Sequence, residues 1–165
     1  MKRITQAVFI VCMLSMFAAA QTKVSGTVKC GKPDQFQKID VGDKPGHAFA
    51  ISQGKCTWTK PITIAGTQTK DDVGTDSLEI NESGAKVQGY VVGTLANGDK
   101  IYVRTAGKDT YKDGKPLSTA GTWSFTSGTG KAEGITGGGT FTGKPDADGN
   151  FVIEVRGQYS LPAKK

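Results

Sequence analysis

The sequence predicts an all-β protein: a single antiparallel barrel of roughly eight strands, preceded by a cleaved signal peptide. Three observations predict it. After residue 20 no window sustains apolar residues at i, i+3, i+4 and i+7, the mark of an amphipathic helix. Period-two stretches recur instead, separated by turn residues. Many of the 23 glycines fall inside those stretches. Glycine in a strand permits the sharp local coiling that closing a sheet requires, which favours a barrel over a sandwich.

The chain opens Met1-Lys2-Arg3, runs apolar from about Ala7 to Phe17 and closes with Ala18-Ala19-Ala20. This is the three-part pattern of a secretory signal peptide. The apolar run is about half the roughly 20 residues a bilayer-spanning helix needs, so no transmembrane anchor is expected after cleavage. Cys12 lies mid-run rather than at a small-residue cleavage site, which argues against a lipid anchor. Cleavage after Ala20 makes residues 1–20 the signal and residues 21–165 one domain. The expected location is periplasmic or extracellular.

A domain of this size buries roughly 70% of its unfolded surface and needs no metal to fold. Two cysteines remain after cleavage, Cys30 and Cys56. In an oxidising compartment an isolated pair reads as a structural disulfide, and the C-x-x-C spacing of a redox pair is absent. The formal charge of +6 falls to +4 once Lys2 and Arg3 leave. Charges alternate in sign, and aromatic residues are not interleaved with basic ones, so no nucleic-acid partner is expected.

In chain order, residues 24–30 make the first strand. Residues 47–51 and 56–60 read as two strands around a Ser52-Gln53-Gly54 turn or bulge, and Pro61 starts a short segment at 62–65. Residues 76–81 alternate around Leu78 and Ile80. Residues 87–95 place Val87, Gly89, Val91, Gly93 and Leu95 on one face. Asn97-Gly98-Asp99 is a hairpin turn, since Asn-Gly accepts the positive φ of tight turns. Residues 100–105 put Ile101, Val103 and Thr105 on one face, and Lys112-Asp113-Gly114-Lys115 turns again. In residues 121–126, Trp123 and Phe125 point the same way. Residues 135–142 and 151–160 form the last hairpin, with Phe151, Ile153, Val155 and Tyr159 sharing a face.

Several motifs tempt. Ser127-Gly128-Thr129-Gly130-Lys131 resembles a phosphate loop, but Ala132 follows the lysine and the flanks read as strand, so nucleotide binding is not expected. Asp146, Asp148 and Asn150 resemble a calcium loop without its position-six glycine and position-twelve glutamate, so no metal is expected. Asn81-Glu82-Ser83 matches a glycosylation acceptor. His47, the only histidine, is a candidate general base, and Glu154 a second catalytic candidate. Glu79, Glu82, Glu133 and Glu154, with Arg104 and Arg156, are the other candidates for polar chemistry. Arg104, Glu154 and Arg156 would enter the lumen if the apolar faces turned outward, but the usual apolar-in arrangement makes these three surface charges.

The runs Thr110-Tyr111-Lys112-Asp113-Gly114-Lys115-Pro116, Gly121-Thr122-Trp123-Ser124-Phe125 and Gly128 to Ile135, with Gly137-x-Gly139-Thr140-Phe141, form a recognisable pattern. It resembles secreted bacterial proteins with the allene oxide cyclase-type barrel, the calycin-like architecture shared with plant dirigent proteins. The likeness covers residues 85–160 and concerns structural glycines. It implies a calycin-like barrel, with a homo-oligomer among the assemblies open to it, and carries no catalytic residue over.

The expected function is non-catalytic binding of a small apolar molecule, without cofactor. Phe49, Trp58, Trp123, Phe125 and Tyr159 are the expected ligand-lining residues. The alternatives are an isomerase or cyclase acting on an apolar substrate inside the barrel, and an envelope structural or interaction module.

Overall fold

The computed structural model describes residues 21–163. The signal-peptide expectation falls on residues 1–20, outside the described residues. Ten strands form: β1 (Thr22–Cys30), β2 (Gln35–Asp40), β3 (Ala48–Lys60), β4 (Thr63–Ile64), β5 (Thr67–Asn81), β6 (Gly84–Leu95), β7 (Lys100–Lys112), β8 (Lys115–Gly128), β9 (Thr136–Pro145) and β10 (Phe151–Ser160). One 3₁₀ turn, Gly130–Ala132, joins β8 to β9.

Eight strands close on themselves in the antiparallel order β1-β10-β9-β8-β7-β6-β5-β3, with β3 returning to β1. The all-β barrel expectation holds. β1 and β3 share only four paired positions, the last being Cys30 opposite Cys56. The disulfide forms there, with the Cα atoms 4.1 Å apart, and cross-links the shortest seam of the closed sheet. β2 continues the line of β1 along the first half of β3, and β4 is a two-residue strand against the start of β5.

Alternation sets what points inward. Register carries one row around the barrel: Val28 opposite Ile153, Gly143 opposite Ile153, Thr119 opposite Gly143 and Asp109 opposite Thr119. Bulky inward residues fit because glycine faces them. A Cβ on Gly157 would lie 2.5 Å from Trp123 Cζ2, and one on Gly121 would lie 2.7 Å from Phe141 Cζ. At one end Val24, Ile62, Ile64, Leu95, Ile101, Ala132 and Ile135 pack into a plug with Trp123 and Tyr159. Fully burying a side chain such as Ile64 or Leu95 contributes roughly 1.5–3 kcal/mol. The Tyr159 hydroxyl accepts a hydrogen bond from the Ala65 amide at 3.2 Å, tying the β4–β5 turn across this end.

The structure corrects four expectations. Residues 52–54 are not a turn: β3 runs unbroken, held by β5 on one edge and β2 on the other, with Gln53 Nε2 donating to Thr75 Oγ1. The segment at 62–65 contains only the two-residue β4, because the chain dives to form the plug. The strand expected at 76–81 begins nine residues earlier, at Thr67. β2 was not expected at all; all six of its residues are exposed, so no burial pattern marks it, and pairing with β3 alone makes it a strand.

Candidate functional site

The end opposite the plug is open. Its rim is formed by the β1–β2 connection at Lys32 and Pro33, by Phe36, by Pro116 in the β7–β8 region and by Gly149 and Phe151 in the β9–β10 region. Below it lies a cavity of about 520 Å³, within the range of small-molecule sites. Its walls are mainly apolar, with Val28, Val91, Val103, Phe141, Ile153 and Val155 among them.

Of the five expected ligand-lining residues, the structure brings three together. Trp58, Trp123 and Phe125 line the cavity, the last two meeting edge-to-face with centroids 5.1 Å apart. Phe49 does not: it pairs with Ile39 and Glu79 on the outer face and is 54% exposed. Its strand was phased from residues 47–51 without the partner strands that turn Ala48 and Ala50 inward. Tyr159 is inward but belongs to the plug below the cavity. The disulfide cysteines contribute to the wall.

Neither catalytic candidate faces this space. His47 sits at the end of the β2–β3 connection, with Nδ1 2.5 Å from Asp43 Oδ1 and its ring against Phe49. That hydrogen bond holds the Asp43 carboxyl below its ordinary value. Glu154 lies on the outer face, where its Oε2 accepts from Arg156 Nη2 at 3.0 Å. Arg104 is exposed there too, as expected.

The chemistry inside comes from three aspartates that the sequence reading did not single out. Asp72 and Asp76 on β5 and Asp109 on β7 all line the cavity. Asp72 lies nearest the plug, beside Gly93, Ile101 and Trp58. Asp76 crosses over Gly89 toward Thr105: a Cβ on Gly89 would fall 1.9 Å from Asp76 Oδ1 and 2.9 Å from Thr105 Oγ1. Asp109 stands nearer the rim, opposite Thr119.

Burial disfavours their charged forms. It pushes Asp72 up to about 6, with the Asp71 charge adding to the rise and the neighbouring Trp58 indole opposing it. The indole does not reach hydrogen-bond geometry, so Trp58 Nε1 and Asp72 Oδ1 are both buried without a partner. Burial pushes Asp76 up to about 6 as well, helped by the Asp109 charge. Asp109 is raised by burial against the opposing Thr119 hydroxyl, and burial with the Asp109 charge raises the Tyr111 phenol. Trp123 contrasts with Trp58, since its indole N–H reaches the Thr140 and Arg156 carbonyls at 3.3 Å each.

The tempting motifs resolve into local structure. Asp99 occupies the loop that resembled a phosphate cradle, its Oδ2 accepting from the Lys131 amide at 3.0 Å. Asp146 Oδ1 accepts from the Asp148 and Asn150 amides, and its Oδ2 pairs with Lys29 Nζ at 2.7 Å. Asn81 Oδ1 accepts from the Ser83 amide in the β5–β6 turn. Among the described residues no group of three or more His, Cys, Asp or Glu is placed to hold a metal ion. No described helix is long and apolar enough to cross a membrane.

These features define a small closed β-barrel with an internal cavity carrying acidic groups. Among solved structures the chain is similar to a pyocyanin demethylase, at 18% identity and a TM-score of 0.43, over 81% of this chain and 99% of that one. It is also similar to a conserved protein of unknown function from Rhodopseudomonas palustris, at 12% identity and a TM-score of 0.49, over 85% and 97% respectively. No protein-family model matches the chain, and no curated protein matches it in sequence.

Proposed function

We propose that this protein is an exported barrel that binds a small, largely apolar organic molecule in its interior. The observation that carries the reading is the cavity itself: about 520 Å³, open at one end, plugged at the other, and walled by Trp58, Trp123, Phe125 and Phe141. Aromatic walls present large apolar area with little conformational freedom to lose, which suits a flat or compact ligand. The signal-like N-terminus and the Cys30–Cys56 disulfide support work outside the cytosol. The likeness of residues 85–160 to the allene oxide cyclase-type barrel bears on architecture and leaves the ligand open.

Both tryptophans of the chain line the cavity, so intrinsic fluorescence reports its occupancy directly. Titration with a small aromatic hydrocarbon is expected to shift or quench that emission saturably, and native mass spectrometry to show one bound molecule. Absence of saturable uptake by both methods refutes the reading.

One observation favours a second reading, an isomerase acting on a bound apolar substrate. Asp72 and Asp76 are held near 6, where a carboxyl can both take and return a proton close to neutral pH.

A further inference from the structure

The cavity has an uncompensated sign. Asp72, Asp76 and Asp109 enter it, yet none of the three takes part in any ion pair among the described residues. The lysines nearest the cavity, Lys32 and Lys55, stand at the rim, and Lys55 leans toward Asp34 with its side chain 79% exposed. Among the described residues no arginine or histidine lines the wall. Asp72 is nine-tenths buried, with one carboxylate oxygen aimed at nothing in the protein. A buried carboxylate without a partner is costly and is retained where something completes it.

The carboxylates are also spread rather than gathered. Asp72 and Asp76 share one face of β5 four residues apart, a span of about 13 Å along an extended strand. A metal ion, which needs its ligand oxygens within about 2–2.6 Å, cannot be coordinated by both, whereas a charge lying between them is attracted to both through the low-dielectric interior. An organic molecule lying along the barrel axis can meet them with one or two N–H or charged groups. The aromatic faces of Trp58, Trp123 and Phe125 attract the same kind of group through their ring quadrupoles.

We propose that the ligand of this cavity is an organic cation: a flat or compact aromatic or alicyclic nitrogen compound whose positive charge lies between Asp72 and Asp76 and is drawn by the field of both. The proposal rests on the small-molecule reading above and narrows it to a chemical class. Gly89 and Gly93 serve it by leaving room for the two carboxylates against β6, since a Cβ on Gly93 would stand 3.0 Å from Asp72 Oδ1.

The test is a matched pair of probes with nearly one shape and different charge, 1-methylquinolinium and 1-methylnaphthalene. Affinities are measured by equilibrium dialysis at pH 8 with the disulfide intact. The expected result is at least ten-fold tighter binding of the cation. Asp72→Asn and Asp76→Asn should each cut that preference several-fold, and the double variant should abolish it. Near-UV circular dichroism matching the unaltered protein shows that all three variants fold, and the hydrocarbon affinity of each is the reference against which its cation preference is read. Equal or weaker binding of the cation by the unaltered protein overturns the proposal while leaving the small-molecule reading intact, as does a preference that survives in the double variant. If neither probe binds, both readings fall.

Discussion

Asp72→Asn should gain stability on the unaltered protein as pH rises through a defined window. The Asp72 side chain is almost fully buried and its carboxyl is raised from 3.8 to about 6, first by burial and then by the Asp71 charge. A group whose folded value lies above its unfolded one stabilises the fold at low pH, and that contribution is lost as pH rises through the folded value. The loss therefore begins near pH 4 and is complete by about pH 7. A shift of about two units at 1.36 kcal/mol each amounts to about 3 kcal/mol. Asparagine has nearly the same shape and does not ionise, so the variant escapes this term. Comparing two pH values cancels whatever the amide itself gains or loses by being buried. Urea denaturation followed by tryptophan emission, without reductant, should show the variant gaining about 2.5 kcal/mol on the unaltered protein between pH 4 and pH 8, the rest of the term lying below pH 4. With typical urea m-values that is a midpoint shift of about 1–2 M. A difference between the two proteins that stays flat across this range, or moves in the opposite direction, refutes the burial of an unpaired carboxylate.

Replacing Cys30 and Cys56 together by serine should cost on the order of 3 kcal/mol, from the chain-entropy estimate for a separation of 26 residues; denaturation midpoints with and without the bond measure it. Gly89→Ala places a methyl where Asp76 Oδ1 lies, so the carboxylate must swing away. Overpacking of this kind costs about 1–3 kcal/mol, and dialysis should show 1-methylquinolinium binding weakened several-fold with hydrocarbon binding little changed. His47→Gln removes the outer-face hydrogen bond to Asp43 and should leave the affinity of both probes unchanged, because the ring lies outside the cavity.

Much of the fold was legible in the sequence, and the failures share a cause. Where inward residues are apolar, as Val91 and Val103 or Ile153 and Val155, alternation alone placed the strands and the inner face. Around residues 67–76 the inward positions are Asp72, Gly74 and Asp76, so the groups that equip the cavity also erase the apolar rhythm of their own strand. Asp109 was within reach: Ile101, Val103 and Thr105 were already assigned to one face, and extending that phase through Gly107 arrives at Asp109. The lone histidine and Glu154, which stand out in the sequence as titratable groups, lie in a connection and on an outward position. Phe49 shows the opposite error. An aromatic in a short alternating stretch looked like core, but only β2 and β5 on either side of β3 decide that Ala48 and Ala50 face in.

Carboxyl ¹³C NMR of the folded protein bears most directly on whether charged groups stand inside an accessible cavity. The Asp72 and Asp76 Cγ signals should titrate with midpoints near pH 6, and both should move when 1-methylquinolinium is added at pH 8. Midpoints near 4 for both, with no response to the probe, would contradict the account.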